Sequence, residues 1–229
     1  MDDNKFMGDI GEAIKYGWYT TKLNIWFFVG VMLVIIVVFT TLGAAMDKMY
    51  KLQSYIGILS YVIFILFIMG LNRIFINFVD NLKEPEISDL FSCIHLFFSF
   101  LAATILYCLI VMVGLALFII PGIIWAIRFS FYGLLIIDEE LGPIEALRES
   151  AELTEGSMWD LLGFYFVFGC INMLGSLTFG LGTIVTIPTI GIAKAYVYRN
   201  LLSEARGPGI MNATPEGHML SERKTPQNY

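Results

Sequence analysis

The chain has 229 residues, of which 57% are hydrophobic and only 15% charged, with a formal net charge of −6. A soluble domain carries about 25% charged residues, so the composition argues against a soluble globule. The acidic balance and the lack of a basic stripe argue against nucleic-acid binding.

The charge deficit is concentrated. Residues 23–46, 52–72, 90–127 and 161–193 contain no Asp, Glu, Lys or Arg, and the mean hydropathy is +0.74. A bilayer-crossing helix needs roughly 20 mostly apolar residues. The first two runs each hold one such helix, and the last two are each long enough for a pair. The prediction is an all-α membrane protein with six transmembrane helices in a domain over 1–203, followed by a disordered tail at 204–229.

In chain order, residues 5–22 place Phe6, Met7, Ile10, Ala13, Ile14, Gly17 and Trp18 on one stripe, with Asp9, Glu12, Lys15 and Tyr16 mostly off it. This predicts an N-terminal amphipathic helix, either interfacial or packed on the bundle. The opening MDDNKF has no basic region ahead of a short apolar core, so no cleaved signal peptide is expected. Span 1 is predicted at about 24–46 and span 2 at about 54–78. Pro85 and its charged neighbours keep the 80–91 connection out of the bilayer. Span 3 follows at about 94–118, a turn at Ile120-Pro121-Gly122, and span 4 at about 121–137.

Asp138-Glu139-Glu140 closes span 4 as a solvated end, interacting with Arg148 or with the next helix N-terminus. Gly142-Pro143 opens a charged helix ended by Gly156. Ile144, Leu147, Ala151 and Thr154 form its expected inner face. It is too short and too charged to cross a membrane, so a cytoplasmic amphipathic helix resting on the ends of the spans is expected between spans 4 and 5. Span 5 is predicted at about 159–178, starting at Trp159. A tight turn at Gly180-Leu181-Gly182 leads to span 6 at about 183–201, interrupted by Pro188. Gly191 and Ala195 form a close-packing pair.

With six spans and the N-terminus inside, eleven Lys and Arg fall on the inner side and only Lys48 and Lys51 on the outer. That excess places both termini in the cytoplasm. A weak internal echo runs between Asp80, Leu82, Pro85, Leu90 and Asp138, Leu141, Pro143, Leu147.

The 119–165 stretch combines Pro121-Gly122, Asp138, Gly142, Glu145-Ala146-Leu147, Ser150 and Gly156. Ser88-Asp89-Leu90-Phe91, Leu177 to Gly182, Pro188 and Ala195 to Tyr198 extend the pattern over roughly 80–200. It resembles a group of uncharacterised prokaryotic multi-pass membrane families, which includes the membrane domain fused to some glycerophosphoryl diester phosphodiesterases. The resemblance implies a six-helix domain of a prokaryotic cytoplasmic membrane with cytoplasmic termini. It implies no activity, because the phosphodiesterase proper is a separate barrel for which six spans leave no room.

No catalytic constellation, metal site or cofactor motif stands out. Cys93, Cys108 and Cys170 sit in or beside apolar runs without CxxC spacing, and His95 and His218 are isolated. Asn212-Ala213-Thr214 fits the glycosylation pattern as a chance match. Arg128, within span 4, is the leading candidate. It either snorkels outward, bonds a polar residue such as Asn172, or contacts lipid or substrate. Arg73 and Lys194 are further candidates for lipid or substrate contact, with Lys194 and Arg199 spaced to snorkel inward. Glu145, Arg148, Glu149 and Glu152 form a candidate partner surface. The expected partners are membrane lipids together with a membrane protein or a second copy of the chain. The first functional expectation is a non-enzymatic membrane scaffold or accessory protein. The alternative is a transporter or lipid-handling protein using Arg128 and the helix interrupted at Pro188.

Overall fold

The structure, a computed structural model, describes residues 3–48, 53–80, 89–90, 92–177 and 182–206. The connection at 81–88, the turn at Gly180-Leu181, and the tail from 207 with its Asn212 lie outside the described residues. Nine helices and a short 3-10 turn at Ile94–Leu96 make up the described fold. They are α1 (Asp3–Leu23), α2 (Ile25–Lys48), α3 (Gln53–Val79), α4 (Phe97–Leu117), α5 (Ile119–Arg128), α6 (Tyr132–Glu139), α7 (Pro143–Leu153), α8 (Met158–Leu177) and α9 (Thr183–Arg206). No strand occurs among the described residues.

Among the described residues, four stretches are each long and apolar enough to cross a membrane: Ile25–Ala45, Ser54–Val79, Ile94–Leu117 and Ile119–Glu139. The charge-free runs predict six. The apolar part of α8, Met158–Met173, is shorter, and α9 carries Lys194 at its middle and Arg199 and Arg206 in its second half.

Apolar side chains cover the outside of the bundle. Leu33 and Ile36 of α2, Ile58 of α3, and Met112 and Leu117 of α4 are exposed, the pattern of helices whose solvent is not water. The chain turns between α4 and α5 at Phe118, which is extended at φ −159° and ψ 150°. The turn thus comes before Pro121, which lies in the first turn of α5, where its missing N–H costs nothing. The two helices then close on each other. A Cβ on Gly114 would sit 2.9 Å from the Gly122 Cα, and one on Gly122 would sit 2.5 Å from the Leu115 side chain. Only a glycine pair permits this approach.

α6 is the centre of the fold. Leu134, Leu135, Ile136 and Ile137 are all essentially inaccessible, so the middle of this helix is apolar and buried on every face. α3, α4 and α7 pack around it, and Tyr198 and Arg199 of α9 close the remaining side.

One expectation is decided between its alternatives and two change. First, α1 packs on the bundle, the second of its two expected placements. It runs antiparallel along α9, with Tyr16 stacked near Tyr196 (5.2 Å between centroids) and the Thr189 hydroxyl 3.3 Å from that of Thr21. Ala13, Gly17 and Thr21 recur every four residues on the buried face, which brings the two backbones together. Second, α9 continues through Pro188 instead of breaking there. The proline falls within the first two turns, where few backbone bonds remain to lose. Third, α7 buries Ala146, Leu147, Ser150 and Leu153, while Ile144 is 74% exposed. Its inner face is therefore rotated from the one predicted, keeping Leu147 and Thr154, and the helix packs against α6 and α4.

The α1–α9 contact leaves no room for a methyl group at Gly17, where a Cβ would lie 2.5 Å from the Thr189 carbonyl oxygen. Gly17→Ala is expected to destabilise the fold by about 1–3 kcal/mol. Gly11→Ala, on the same helix with open space around it, is expected to be neutral or slightly stabilising. Thermal unfolding in detergent compares the two, and equal midpoints would refute the close-packing account.

Candidate functional site

The apolar stretch Ile119–Glu139 is not one helix. α5 stops at Arg128 and α6 starts at Tyr132, with Phe129, Ser130 and Phe131 between them. Neither Pro nor Gly lies in the gap. A break in apolar surroundings frees backbone groups that must find partners, and the partners can be traced one by one. The Ser130 N–H donates to the Ile127 carbonyl (3.1 Å), and the Tyr132 N–H donates to that of Phe129 (3.4 Å). The Arg128 carbonyl accepts from the Ser150 hydroxyl (3.0 Å) and the Thr154 hydroxyl (3.2 Å). Ser150 Oγ also accepts from the Phe131 N–H at 3.1 Å. A single side-chain oxygen thus reconnects the two sides of the gap. The Ser130 carbonyl accepts from Lys194 Nζ at 2.8 Å.

This pairing explains the rotation of α7. Ser150 and Thr154 lie one turn apart, both fully buried, and they face inward because the break offers them backbone partners. It also reassigns Lys194. Instead of snorkelling to an end of the bundle, the ammonium turns inward to Ser130 and lies 5.7 Å from the centroid of the Phe131 ring.

Beside the break lies a cavity of about 510 Å³. Its polar groups are Lys194, Ser130, Tyr107, Tyr132 and Tyr165. The Tyr107 hydroxyl donates to the Ala126 carbonyl (3.1 Å), and that of Tyr132 pairs with Thr104 (3.0 Å). The hydroxyls of Ser130 and Tyr165 are buried and face each other, and neither has another hydrogen-bond partner among the described residues. Apolar walls come from Ile123 and Ile127 of α5 and from Leu162 and Phe166 of α8. An apolar groove of about 350 Å³ continues from there between Ile120, Ile124, Met158 and Trp159.

A second polar cluster ties the helix ends together. Arg199 donates to Asp80 from Nε (2.8 Å) and Nη2, and to Asp138 from Nη1 (2.6 Å) and Nη2 (2.8 Å). The Tyr198 hydroxyl donates to Asp138 at 2.8 Å. Arg206 joins Glu139 (2.7 Å) to Glu149 (2.7 Å). The hydrogen bonds that the guanidinium donates to these two carboxylates raise the Arg206 pKa and keep it charged. His95 pairs with Glu140 at 3.3 Å. The three acids that close α6 therefore bind Arg199, Arg206 and His95. Arg148, one of the two partners expected for this end, pairs instead with Glu152 at 3.1 Å on its own helix, while Glu140 stays mostly exposed.

The other candidates are placed as follows. The Arg73 guanidinium reaches the Ile137 carbonyl at 3.4 Å, against α6. Arg128 is half-buried, and its guanidinium makes no hydrogen bond or ion pair among the described residues; its carbonyl, not its charge, does the bonding. Asn172 accepts from Thr186 (3.3 Å). Glu145, Arg148 and Glu152 are exposed on the outer face of α7, while Glu149 is engaged by Arg206. Among the described residues, no group of three His, Cys, Asp or Glu is placed to hold a metal ion.

Residues 87–216, more than half of the chain, match a family described as Domain of unknown function (DUF7847). The chain belongs to this family. No curated protein and no solved structure matches it. The DUF7847 segment holds α4 to α9, and with them the break, Ser150, Thr154, Lys194 and Arg199. Asp80 and α1 lie outside it.

Two outcomes test this geometry in the DUF7847 segment. Ser150→Ala removes a hydroxyl that serves two buried backbone groups, at an expected cost of about 1–3 kcal/mol; a thermal midpoint equal to wild type would sink the bridging role. Arg199→Gln leaves two nearly buried aspartates facing each other, and breaking such a pair costs about 3–5 kcal/mol. The triple change Asp80→Asn, Arg199→Gln, Asp138→Asn is expected to recover most of that loss. If the triple variant proves less stable than the single one, charge burial is not what Arg199 relieves.

Proposed function

We propose that this chain is a non-enzymatic, multi-pass protein of the prokaryotic cytoplasmic membrane that binds a lipid-like amphiphile between α5 and α8. In this reading α8 and α9 are the fifth and sixth crossings. The inward direction of Lys194 supports this, because a charged group on a crossing helix faces the bundle. The eleven-to-two excess of Lys and Arg supports cytoplasmic termini. Kinship with the membrane domains fused to glycerophosphoryl diester phosphodiesterases belongs to the same reading.

The observation that carries it is the shape and polarity of the cavity. Ile123, Leu162 and Phe166 are exposed and open the site sideways to the surroundings of the bundle. Its inner side is lined by Lys194 and by the hydroxyls of Ser130 and Tyr165, which have no partner but each other among the described residues. An apolar mouth and a polar floor suit a ligand with a tail and a head. A non-catalytic role fits the chemistry. Lys194 bonds the backbone of Ser130, not its hydroxyl, and no carboxylate, His or Cys lines the cavity among the described residues. The scaffold reading rests on a different surface, the outer face of α7, where Ile144 is exposed beside Glu145, Arg148 and Glu152.

Photolabelling in membranes separates the two readings. A diazirine-bearing fatty amphiphile is expected to label peptides containing Ile120 to Ile127 or Met158 to Leu162. The label should exceed that on the lipid-exposed residues Leu33 and Ile36 of α2, and excess unlabelled amphiphile should compete it away. Even labelling that cannot be competed would remove the amphiphile site and leave the α7 surface as the better candidate.

A further inference from the structure

The cavity beside the α5–α6 break supports a closer identification of its ligand, one that rests on the amphiphile reading above. Lys194 is the one charged side chain among the residues lining it. Its ammonium has the Ser130 carbonyl at 2.8 Å and the Phe131 ring nearby, but no ion pair among the described residues. A charge withdrawn from water without a counter-ion is costly. Of the hydroxyls in the wall, those of Tyr107 and Tyr132 are already bonded. Those of Ser130 and Tyr165 are buried, face each other, and have no other partner among the described residues. What remains open is one ammonium and two O–H groups, all able to donate, with no carboxylate to repel an anion.

We propose that Lys194, Ser130 and Tyr165 form a head-group site for a singly charged oxyanion, a carboxylate or a phosphodiester, whose alkyl tail lies in the α5–α8 groove. One ammonium matches one negative charge, and a dianion would leave an excess inside an apolar wall. The groove past Ile124, Met158 and Trp159 accepts a chain and offers nothing to a small hydrated ion. The head would complete the coordination of Lys194 while the lysine keeps its bond across the break.

The test uses the full chain purified in detergent, with native mass spectrometry or calorimetry as the readout. The probes are oleate, methyl oleate, dioleoyl phosphatidylglycerol and acetate. Oleate, phosphatidylglycerol or both should bind. Oleate alone identifies the head as a carboxylate, and phosphatidylglycerol alone identifies it as a phosphodiester. Methyl oleate should bind at least about 10-fold more weakly, and acetate not at all. Lys194→Gln should weaken the anionic ligand by roughly 10- to 100-fold, and Tyr165→Phe by a few fold. Lys194→Arg should retain binding. Equal affinity for oleate and methyl oleate, or an unchanged Lys194→Gln, overturns the head-group site and leaves the groove standing. Loss of every ligand, methyl oleate included, overturns the groove as well. Acetate binding as tightly as oleate overturns the role of the tail. If Lys194→Gln fails to fold, the wild-type comparison of acid with ester and the Tyr165→Phe variant decide the matter.

Discussion

Backbone polar groups cannot be left unpaired in apolar surroundings, and the three residues from Phe129 to Phe131 bring that requirement into the middle of the bundle. Each freed group that goes unsatisfied costs on the order of 1–3 kcal/mol. The surrounding architecture follows from meeting that demand. α7 must lie close enough for Ser150 and Thr154 to reach the Arg128 carbonyl, and α9 must turn Lys194 inward to reach Ser130. The short α6 is then held between these contacts, its middle buried on every side. A charged helix that composition alone would assign to the surface thereby becomes part of the core.

Helices surrounded by lipid gain little from burying apolar surface against one another, because the alternative environment is just as apolar. Close backbone approach and polar ties carry more of the specificity. Both are present here. Gly114 with Gly122 closes the α4–α5 hairpin, and Gly17 lets α1 settle on α9. At the other end, Arg199 ties α3, α6 and α9 through Asp80 and Asp138. These two aspartates are the first members of the faint echo between the connections after spans 2 and 4, and they converge on one guanidinium.

The same break that organises the packing creates the cavity. Where a continuous helix would present only side chains, the gap presents the Ser130 carbonyl and hydroxyl, with the ammonium of Lys194 beside them. The DUF7847 segment encloses all of these groups. α1 to α3 lie outside it, yet they supply the Asp80 carboxylate and the surface on which α9 packs. In the proposed function, structural repair and ligand recognition share one lysine.

Much of this was legible in the residues. The charge-free runs located the first four crossing-length stretches to within a few residues, because bilayer thickness sets a length that composition reveals directly. Pro143 and Gly156 marked the α7 region, and Arg128 drew attention to the right place in span 4. The break itself was not legible, since Phe-Ser-Phe contains neither Pro nor Gly and carries no local signal of interruption. It exists because Ser150, Thr154 and Lys194 pair the groups it frees, and those residues lie 19 or more positions away from them. The inner face of α7 was misjudged for the same reason, as periodicity ranks Ile144 above Ser150 until the partner of the serine is known. Sequence alone determined the helical class, the long apolar rods and the charged segment between them, because these depend on local composition. Which atoms meet at the break, and that Lys194 faces inward, only the tertiary structure decided, because hydrogen bonds across so many residues leave no periodic trace along the chain.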